Sequence, residues 1–231
     1  MRTEVIDLGR MTYTEAEALQ KQLQKKIING GQTQYLLIVE HPPVITVGNS
    51  SGHHAVEENL LVSSDFLNER NIELVVSERG GNITCHEPGQ LVVYPILNLN
   101  FYEKDVKLYV DYLERSMSQM MEEIYGVKTQ QLEGMRGLWV NNNKIMAIGC
   151  NVKRWVTKYG LAINVSNDLE TFSWINPCGF TDRGVTSLSK ELSRNIMVDE
   201  VKLKVPKYFN AFFPAEYVWT PLENIEINQE A

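Results

Sequence analysis

The stretch that most constrains this chain is residues 79–94, RGGNITCHEPGQLVVY. Its adjacent glycines, Gly80 and Gly81, permit positive φ angles and a close approach of the backbone to a ligand. A Pro-Gly pair predicts a turn, and the apolar run over residues 91–94 predicts a buried strand that ends at Pro95. The polar side chains of this stretch therefore lie on loops that a strand holds in place, which is a common construction for a binding site.

The same stretch has a plainer interpretation, a glycine-rich hairpin in which His86 is a structural histidine. Two later segments favour a site. Lys144 begins the apolar strand KIMAIG after an Asn-rich turn, although a lysine at a strand start is usually only solvated. Cys178 lies between Pro177 and Gly179 in a loop, where a reactive thiol is more expected than on a buried strand. A nearby ammonium would favour the thiolate, so Lys144 and Cys178 form a candidate pair if the fold brings them together.

Composition narrows the class of protein. The 231 residues are 43% hydrophobic and 22% charged, which is ordinary for one soluble globular domain. The formal net charge of −7 argues against a general nucleic-acid binder. No apolar run has the length of a membrane span and the N-terminus lacks a signal core, so we expect a cytoplasmic protein without a membrane partner.

Cysteine and histidine spacing indicates neither a disulfide framework nor a metal site. The three cysteines include no CxxC pair, and the four histidines lack ligand spacing. His41 follows a strand, where it either lines a pocket or caps the strand; the structural role is favoured. His53 and His54 are expected to be exposed in a polar loop.

The periodicity of apolar residues predicts a mixed chain. Helices are predicted over residues 12–28, 64–71, 105–125, 168–174 and 197–213, the last interrupted by Pro206. Strands are predicted over residues 5–8, 35–40, 44–47, 72–77, 91–94, 96–99, 127–130, 137–140, 144–152 and 159–165. Residues 175–188 are expected to be irregular, and the tail from residue 221 weakly ordered at best. This order predicts an α+β or mixed α/β layer, not a regular βαβ series.

Several segments together resemble the lipoyl(octanoyl) transferase family. They are EHPPVITVG, RGGNITCHEPGQLVVYPI, KIMAIGCNVKRWVT followed by GLAINV, and WINPCGF followed by GVTSL. The resemblance covers about residues 35–190 of a single catalytic domain expected over residues 1–231. It implies the fold shared by biotin and lipoate protein ligases, with mixed sheets and flanking helices.

The resemblance also implies a reaction in lipoate biosynthesis. An octanoyl group would move from octanoyl-acyl carrier protein, through a thioester on Cys178, to a lysine amine on a lipoyl domain. The acceptor would be a 2-oxoacid dehydrogenase, the glycine-cleavage H protein, or both. No metal or nucleotide cofactor is expected, because the thioester is already activated, and we expect a monomer.

The residue roles follow from the same resemblance. Cys178 would be the nucleophile, and Lys144 would lower its pKa and act as general acid and base. The substrate-binding residues implied by the resemblance are Arg79, Gly80, Gly81, Asn82, Ile83, Thr84, Cys85, His86, Ala147, Ile148, Gly149, Gly160, Leu161 and Ala162.

Three positions depart from the family pattern. Glu87 replaces a common glycine and is expected to place a negative charge near the pocket mouth. Tyr159 replaces a histidine that usually precedes Gly-Leu-Ala, which removes a titratable imidazole. Cys85 replaces a frequent aromatic residue and is expected to widen the pocket.

Two alternatives remain open for the function. An ATP-dependent lipoate or biotin protein ligase would share the fold but need a nucleotide in place of the cysteine. A non-catalytic acyl-binding relative would not need the Lys144–Cys178 pair. Separately, Arg136, Lys153, Arg154 and Lys158 either form a basic patch that steers acidic partners or belong to a surface of mixed charge.

Overall fold

The structure, a computed structural model, describes residues 1–49, 59–176 and 183–225. Its strands are β1 (Arg2–Arg10), β2 (Gln34–Glu40), β3 (Val44–Val47), β4 (Glu73–Val76), β5 (Ile83–His86), β6 (Gln90–Ile96), β7 (Gln130–Leu132), β8 (Met135–Val140), β9 (Asn143–Lys153), β10 (Val156–Asn164), β11 (Gly184–Val185) and β12 (Glu216–Trp219). Its α-helices are α1 (Tyr13–Ile28), α2 (Ser64–Glu69), α3 (Val106–Tyr125), α4 (Leu188–Leu192), α5 (Val198–Lys202) and α6 (Val205–Asn210). Short 3-10 turns cover Leu99–Phe101, Glu170–Trp174 and Leu222–Asn224.

The strands form two sheets. The large sheet has the order β12-β1-β2-β6-β10-β9-β8-β7, with β11 added beside β9. In it β1 is parallel to both β2 and β12, β11 is parallel to β9, and the other pairs are antiparallel. The small sheet has the order β4-β3-β5. The predicted mixed class is confirmed, with hairpins in the second half of the chain.

Helices cover both faces of the large sheet. On one face α3 packs with α6 over an apolar cluster that contains Met117, Met120 and Met121, all fully buried. The methionine stripe is therefore core, as predicted. On the other face α1 packs against β6 and β10. The ends of the two long helices follow the sequence: Thr12 and Glu15 form a capping box at α1, and Gly126 ends α3 with a φ of 68°.

The strand prediction around Pro95 was wrong. β6 continues through this proline to Ile96, and Pro95 pairs with Leu36 of β2. The Pro95 carbonyl accepts a hydrogen bond of 2.6 Å from the Thr157 hydroxyl, so the polar backbone group that remains is satisfied. The prediction of a strand over residues 127–130 was also misplaced, because β7 begins only at Gln130.

The C-terminal third differs most from the prediction. In place of one helix over residues 197–213 there are two short helices, α5 and α6. Pro206 lies in the first turn of α6, where its missing N–H has no intrahelical partner to lose. The strand β12 was not predicted; it extends the large sheet beside β1. Ile225, in the segment expected to be weakly ordered, is buried against the α1 side of the sheet.

Within the described ranges, no helix combines the length and the apolar character that crossing a membrane requires.

Candidate active site

A cavity of about 860 Å³ lies between the large sheet and the loop that joins β4 to β5. The large sheet contributes residues of β6, β8, β9 and β10 to its wall. Most of the side chains that line it are apolar, including Ile83, Val92, Ala147, Ile148, Leu161, Ala162, Phe172, Ile175 and Val185. Such a lining suits the hydrocarbon part of a ligand.

The loop over residues 79–82 forms one wall, and it is fixed on both sides. The Arg79 guanidinium is buried; its Nε donates to the Thr46 hydroxyl (3.0 Å) and its Nη2 to the Thr46 carbonyl (2.6 Å). Gly80 N donates to the Cys150 carbonyl of β9 (3.0 Å), and Gly81 has a φ of 86°. Arg79 therefore positions the wall instead of offering a free charge to a ligand.

Beside this loop, aromatic and imidazole side chains line the cavity. His86 Nδ1 is 2.7 Å from Gln90 Oε1, and the Tyr13 hydroxyl is 2.8 Å from Ser77 Oγ. The Tyr13 and His86 rings are stacked with centroids 5.9 Å apart. Burial lowers the pKa of His86 to about 3, so its imidazole is neutral near pH 7. His86 both lines the cavity and has its hydrogen bond satisfied, which combines the two interpretations of the sequence.

His41 does not line the cavity. Its ring nitrogens lie 2.7 Å from the Met11 carbonyl and 2.8 Å from the Tyr94 hydroxyl, and burial lowers its pKa to about 4. The favoured structural role is confirmed, because this imidazole links the start of α1 to β6.

Lys144 lies at the β8–β9 hairpin and lines the cavity. Strand register places it opposite Trp139, and its Nζ is 4.7 Å from the centre of that indole ring. On its other side Val185 of β11 is its parallel partner, and Thr186 N donates to the Lys144 carbonyl (3.0 Å). The chain that follows the predicted cysteine loop is therefore paired with the strand start that carries Lys144.

Cys178 itself lies outside the described residues, as do His53 and His54. Asn176 and Arg183, the described residues on either side of positions 177–182, both line the cavity. The described residues that flank positions 177–182 thus line the same cavity as Lys144.

Of the residues implied to bind substrate, the structure gathers twelve around this cavity. The two exceptions are Gly80, which lies behind the loop, and Cys85. Cys85 is fully buried in an apolar cluster with Ile45 and Val47 of β3 and does not line the cavity, although its neighbours Ile83, Thr84 and His86 on β5 do. The expected widening by Cys85 is therefore not found.

Glu87 is not at the mouth of this cavity, contrary to the expectation. Its carboxylate is buried and accepts hydrogen bonds from Asn167 Nδ2 (2.8 Å), Leu169 N (3.2 Å) and the Thr171 hydroxyl. It holds the segment after β10, which leads into the 3-10 turn before the cysteine loop.

Tyr159 lines the cavity, but its hydroxyl points to α1, where it donates to Glu17 Oε1 (2.6 Å). The four basic residues for which a steering patch and a surface of mixed charge were left open do not form a single surface. The Lys158 side chain is only 3% exposed and pairs with Glu78 (2.8 Å), whereas Lys153 and Arg154 are exposed at a turn and Arg136 lines the cavity.

Sequence reasoning missed many residues that line the cavity, among them Tyr13, Trp139 and Arg183. Trp139 had a usable signal, because the Asn-rich hairpin places it opposite Lys144. Arg183 follows the cysteine loop closely in sequence. Tyr13 had no such signal, since it reaches the cavity only through the packing of α1.

The described residues contain no group of three metal-ligating side chains close enough to hold an ion.

Known proteins resemble this chain in sequence and in fold. A chain named octanoyltransferase from Caldicellulosiruptor saccharolyticus is 40% identical over 227 residues, which is 98% of this chain and 95% of that protein. A crystal structure of lipoate-protein ligase A bound with ATP superimposes with a TM-score of 0.77 at 14% identity, covering 96% of this chain and 90% of that one. A biotin protein ligase from Aquifex aeolicus gives 0.51 at 16% identity, covering 92% and 69%. The predicted ligase-like fold is confirmed.

The sequence profile of one family covers most of the chain. The lipoyl protein ligase A/B catalytic domain matches residues 12–210, a longer stretch than the motif-bearing residues 35–190. The chain belongs to the lipoyl protein ligase A/B catalytic domain family.

Proposed function

We propose that this protein is an octanoyltransferase that moves an octanoyl group from acyl carrier protein to a lysine of a lipoyl domain. The observation that carries the proposal is a largely apolar cavity lined by Lys144 and by Asn176 and Arg183, the described residues that flank positions 177–182. Relatives named octanoyltransferase that align over nearly the whole chain support the same reaction.

The reaction takes two steps. The Cys178 thiolate attacks the octanoyl carbonyl, the bond from that carbonyl to the carrier's sulfur breaks, and the departing thiolate takes a proton from Lys144. The acceptor lysine amine then attacks the new thioester, Lys144 removes its extra proton, and the Cys178 thiolate leaves as the amide forms. A thioester is more reactive than an amide, so neither ATP nor a metal is required.

The other two cysteines make poor nucleophiles. Burial raises the pKa of Cys150 to about 11, and burial raises that of Cys85 well above its usual value. Both therefore stay protonated near pH 7, where a thiol reacts slowly. This contrast supports Cys178, which the sequence places in a loop between Pro177 and Gly179.

The apolar wall would bind the acyl chain. Val92, Ile148 and Leu161 line the cavity, and each buried methylene of a ligand contributes about 0.8 kcal/mol before losses of chain entropy. An octanoyl chain therefore has enough apolar surface to account for much of the binding of the donor.

The proposal is tested by mixing the purified protein with octanoyl-acyl carrier protein and an unmodified lipoyl domain, and following the mass of the domain. We expect octanoylation without added ATP and in the presence of EDTA. Lys144→Met should abolish transfer, whereas Lys128→Met, at an exposed lysine after α3, should not. Modification that appears only with ATP and Mg²⁺ would assign the protein to the ligases instead.

A further inference from the structure

Lys144 reaches the cavity through an irregularity in the large sheet. Where β8 pairs with β9, Leu138 lies opposite Met146. The next residue of β8, Trp139, lies opposite Lys144. One step along β8 therefore corresponds to two along β9, and Ile145 is the extra residue of a β-bulge. A bulge turns the side chains beyond it to a different face, and bulges are common next to active sites.

This bulge decides which side of the sheet Lys144 takes. Side chains two residues apart share a face of a regular strand. Met146 and Ile145 are fully buried in the apolar cluster beneath α3, and neither lines the cavity. A regular β9 would point Lys144 into that cluster with Met146, where burying an ammonium is costly. With Ile145 as the extra residue, Lys144 lines the cavity instead and lies opposite Trp139.

Two residues outside β9 stabilise the bulge. Gly137 of β8 has a φ of 104°, and a Cβ atom there would overlap the carbonyl oxygen of Met146. The Gly137 N–H donates to the buried carboxylate of Glu114 on α3 (2.7 Å), which also accepts from Gln131 Nε2 (2.7 Å). This backbone donor is thus satisfied by a helix and not by a neighbouring strand, which ties the irregular part of the sheet to α3.

Trp139 presents an aromatic ring to Lys144. The Trp139 side chain is buried and lines the cavity. Lys144 Nζ lies over the indole, 4.7 Å from the ring centre, and the guanidinium carbon of Arg183 lies 5.5 Å from the same centre. The face of an indole attracts cations, more strongly where water is excluded. Two cations from separate segments of the chain therefore meet at one ring.

Packing alone does not account for a tryptophan at this position. The Trp139 Nε1–H has no hydrogen-bond acceptor within the described chain, so the indole nitrogen adds no bond that these residues use. An aliphatic side chain would fill apolar space without leaving a buried donor unpaired. What tryptophan adds is the side chain whose π face attracts cations most strongly, and the Lys144 ammonium lies over that face.

We propose that Trp139 is a positioning residue that holds the Lys144 ammonium at the wall of the cavity for its part in acyl transfer. The inference rests on the proposed function, in which Lys144 gives a proton to the departing sulfur and takes one from the acceptor amine. A lysine side chain is long and flexible, so a fixed position for its Nζ keeps both transfers within reach. Trp139 itself transfers no proton.

The kinetic test compares Trp139→Phe with Trp139→Leu in octanoyl transfer from the carrier protein to a lipoyl domain. Phenylalanine retains an aromatic face, and we expect a kcat within about threefold of the parent value. Leucine removes that face. Its kcat should fall at least about tenfold, while the KM for octanoyl-acyl carrier protein stays within about twofold.

Phe212→Leu is the matched control. The guanidinium carbon of Arg115 lies 5.0 Å from the centre of the Phe212 ring, and neither residue lines the cavity. This variant therefore removes a similar contact away from Lys144 and should leave kcat unchanged. A parental kcat in Trp139→Leu, an equal fall of kcat in both Trp139 variants, or a change confined to KM would overturn the positioning role.

A second measurement does not depend on the folding of a Trp139 variant. In NMR spectra of the parent protein with ¹³C-labelled lysine, the ring current of the indole should displace the ε-methylene protons of Lys144 upfield. The signal that is missing from Lys144→Met identifies them. If that signal instead has the position of exposed lysines such as Lys128, the ammonium is not held over the ring and the proposal is overturned.

Failure of the proposed function would look different. The parent protein would then transfer no octanoyl group from the carrier protein to a lipoyl domain. Transfer in the parent together with an equal kcat in both Trp139 variants would reject the positioning role of Trp139 alone.

Discussion

Gly149 on β9 and Gly80 in the loop after β4 approach so closely that a Cβ atom on Gly149 would lie 2.7 Å from the Gly80 carbonyl oxygen. The same Cβ would lie 3.3 Å from Arg79 Cδ. The wall of the cavity that carries Arg79 therefore rests directly on the backbone of β9, and this contact depends on the absence of a side chain.

Gly149→Ala should displace that wall and lower octanoyl transfer by at least about tenfold, because the obstructing atom is backbone and cannot rotate away. Rates of octanoyl transfer at saturating donor would show this. Gly126→Ala is the control for stability: its φ of 68° is strained for alanine, but no atom lies within 4 Å of the new Cβ. It should destabilise the protein by about 1–2 kcal/mol and leave the transfer rate of folded protein unchanged. Equal rates in both variants would contradict the assigned role of the contact.

Glu87 should act on stability through the segment that leads to the cysteine loop. Glu87→Ala removes the acceptor for Asn167, Leu169 and Thr171, and buried donors without acceptors should cost about 2 kcal/mol or more in the free energy of unfolding. Glu87→Gln keeps one carbonyl oxygen and should cost less. Urea denaturation measures both. Glu133 lies at an exposed turn and serves as the control. If Glu133→Ala lowered the free energy of unfolding as much as Glu87→Ala does, the stabilising role of the buried Glu87 hydrogen bonds would be contradicted.

Stability should fall in mild acid because of two buried imidazoles. The pKa of His41 is lowered to about 4 and that of His86 to about 3, in both cases mainly by burial, against about 6.5 in the unfolded chain. Below about pH 6.5 the unfolded chain binds protons that the folded protein does not, so the free energy of unfolding decreases as pH falls. Each histidine lowers the free energy of unfolding by up to about 1.4 kcal/mol for each pH unit below about 6.5. This loss stops near the pKa of that histidine in the folded protein.

Urea denaturation between pH 7 and pH 5 would measure this slope. His41→Gln should be less stable at pH 7 because it loses the contacts to Met11 and Tyr94, but its stability should depend less on pH. A parent protein with a flat profile from pH 6.5 to pH 5 would contradict the assignment of neutral, buried imidazoles.

Tyr159→Phe should leave catalysis nearly intact. The Tyr159 hydroxyl donates to Glu17 on α1 and not to groups at the Lys144 end of the cavity, so its loss should cost about 1 kcal/mol of stability. We expect octanoyl transfer within about twofold of the parent rate, since no interaction with the reacting atoms is removed. A loss of activity much greater than the loss shown by Glu17→Gln would mean that the phenol takes part in the reaction.

Local signals determined much of the fold. The capping box at Thr12, the left-handed Gly126 and the Asn-rich turn before Lys144 each specify a helix end or a hairpin through interactions over a few residues. Pro95, β12 and the two short C-terminal helices were not predictable in this way. Their conformations depend on the neighbouring strand or on packing against α3, which periodicity does not record.

The same distinction between local signals and tertiary packing applies to the residues of the site. No strand was predicted over β5, and the resemblance placed every residue from Arg79 to His86 in the site. Only the packing of β5 against β3 shows that Cys85 is buried away from the cavity. Glu87 was expected at the mouth because it stands where the family pattern has a glycine beside the site. Its carboxylate is buried instead, where it accepts from three donors of the segment after β10. The pairing of β11 with β9 brings Arg183 beside Lys144, and only tertiary structure shows this.

The most direct test of the account is intact-mass spectrometry after octanoyl-acyl carrier protein is added to the parent, Cys178→Ala and Cys150→Ala proteins. We predict one octanoyl adduct on the parent and on Cys150→Ala, and none on Cys178→Ala. An adduct of equal yield on Cys178→Ala, or none on any of the three proteins, would contradict the proposed acyl-cysteine intermediate.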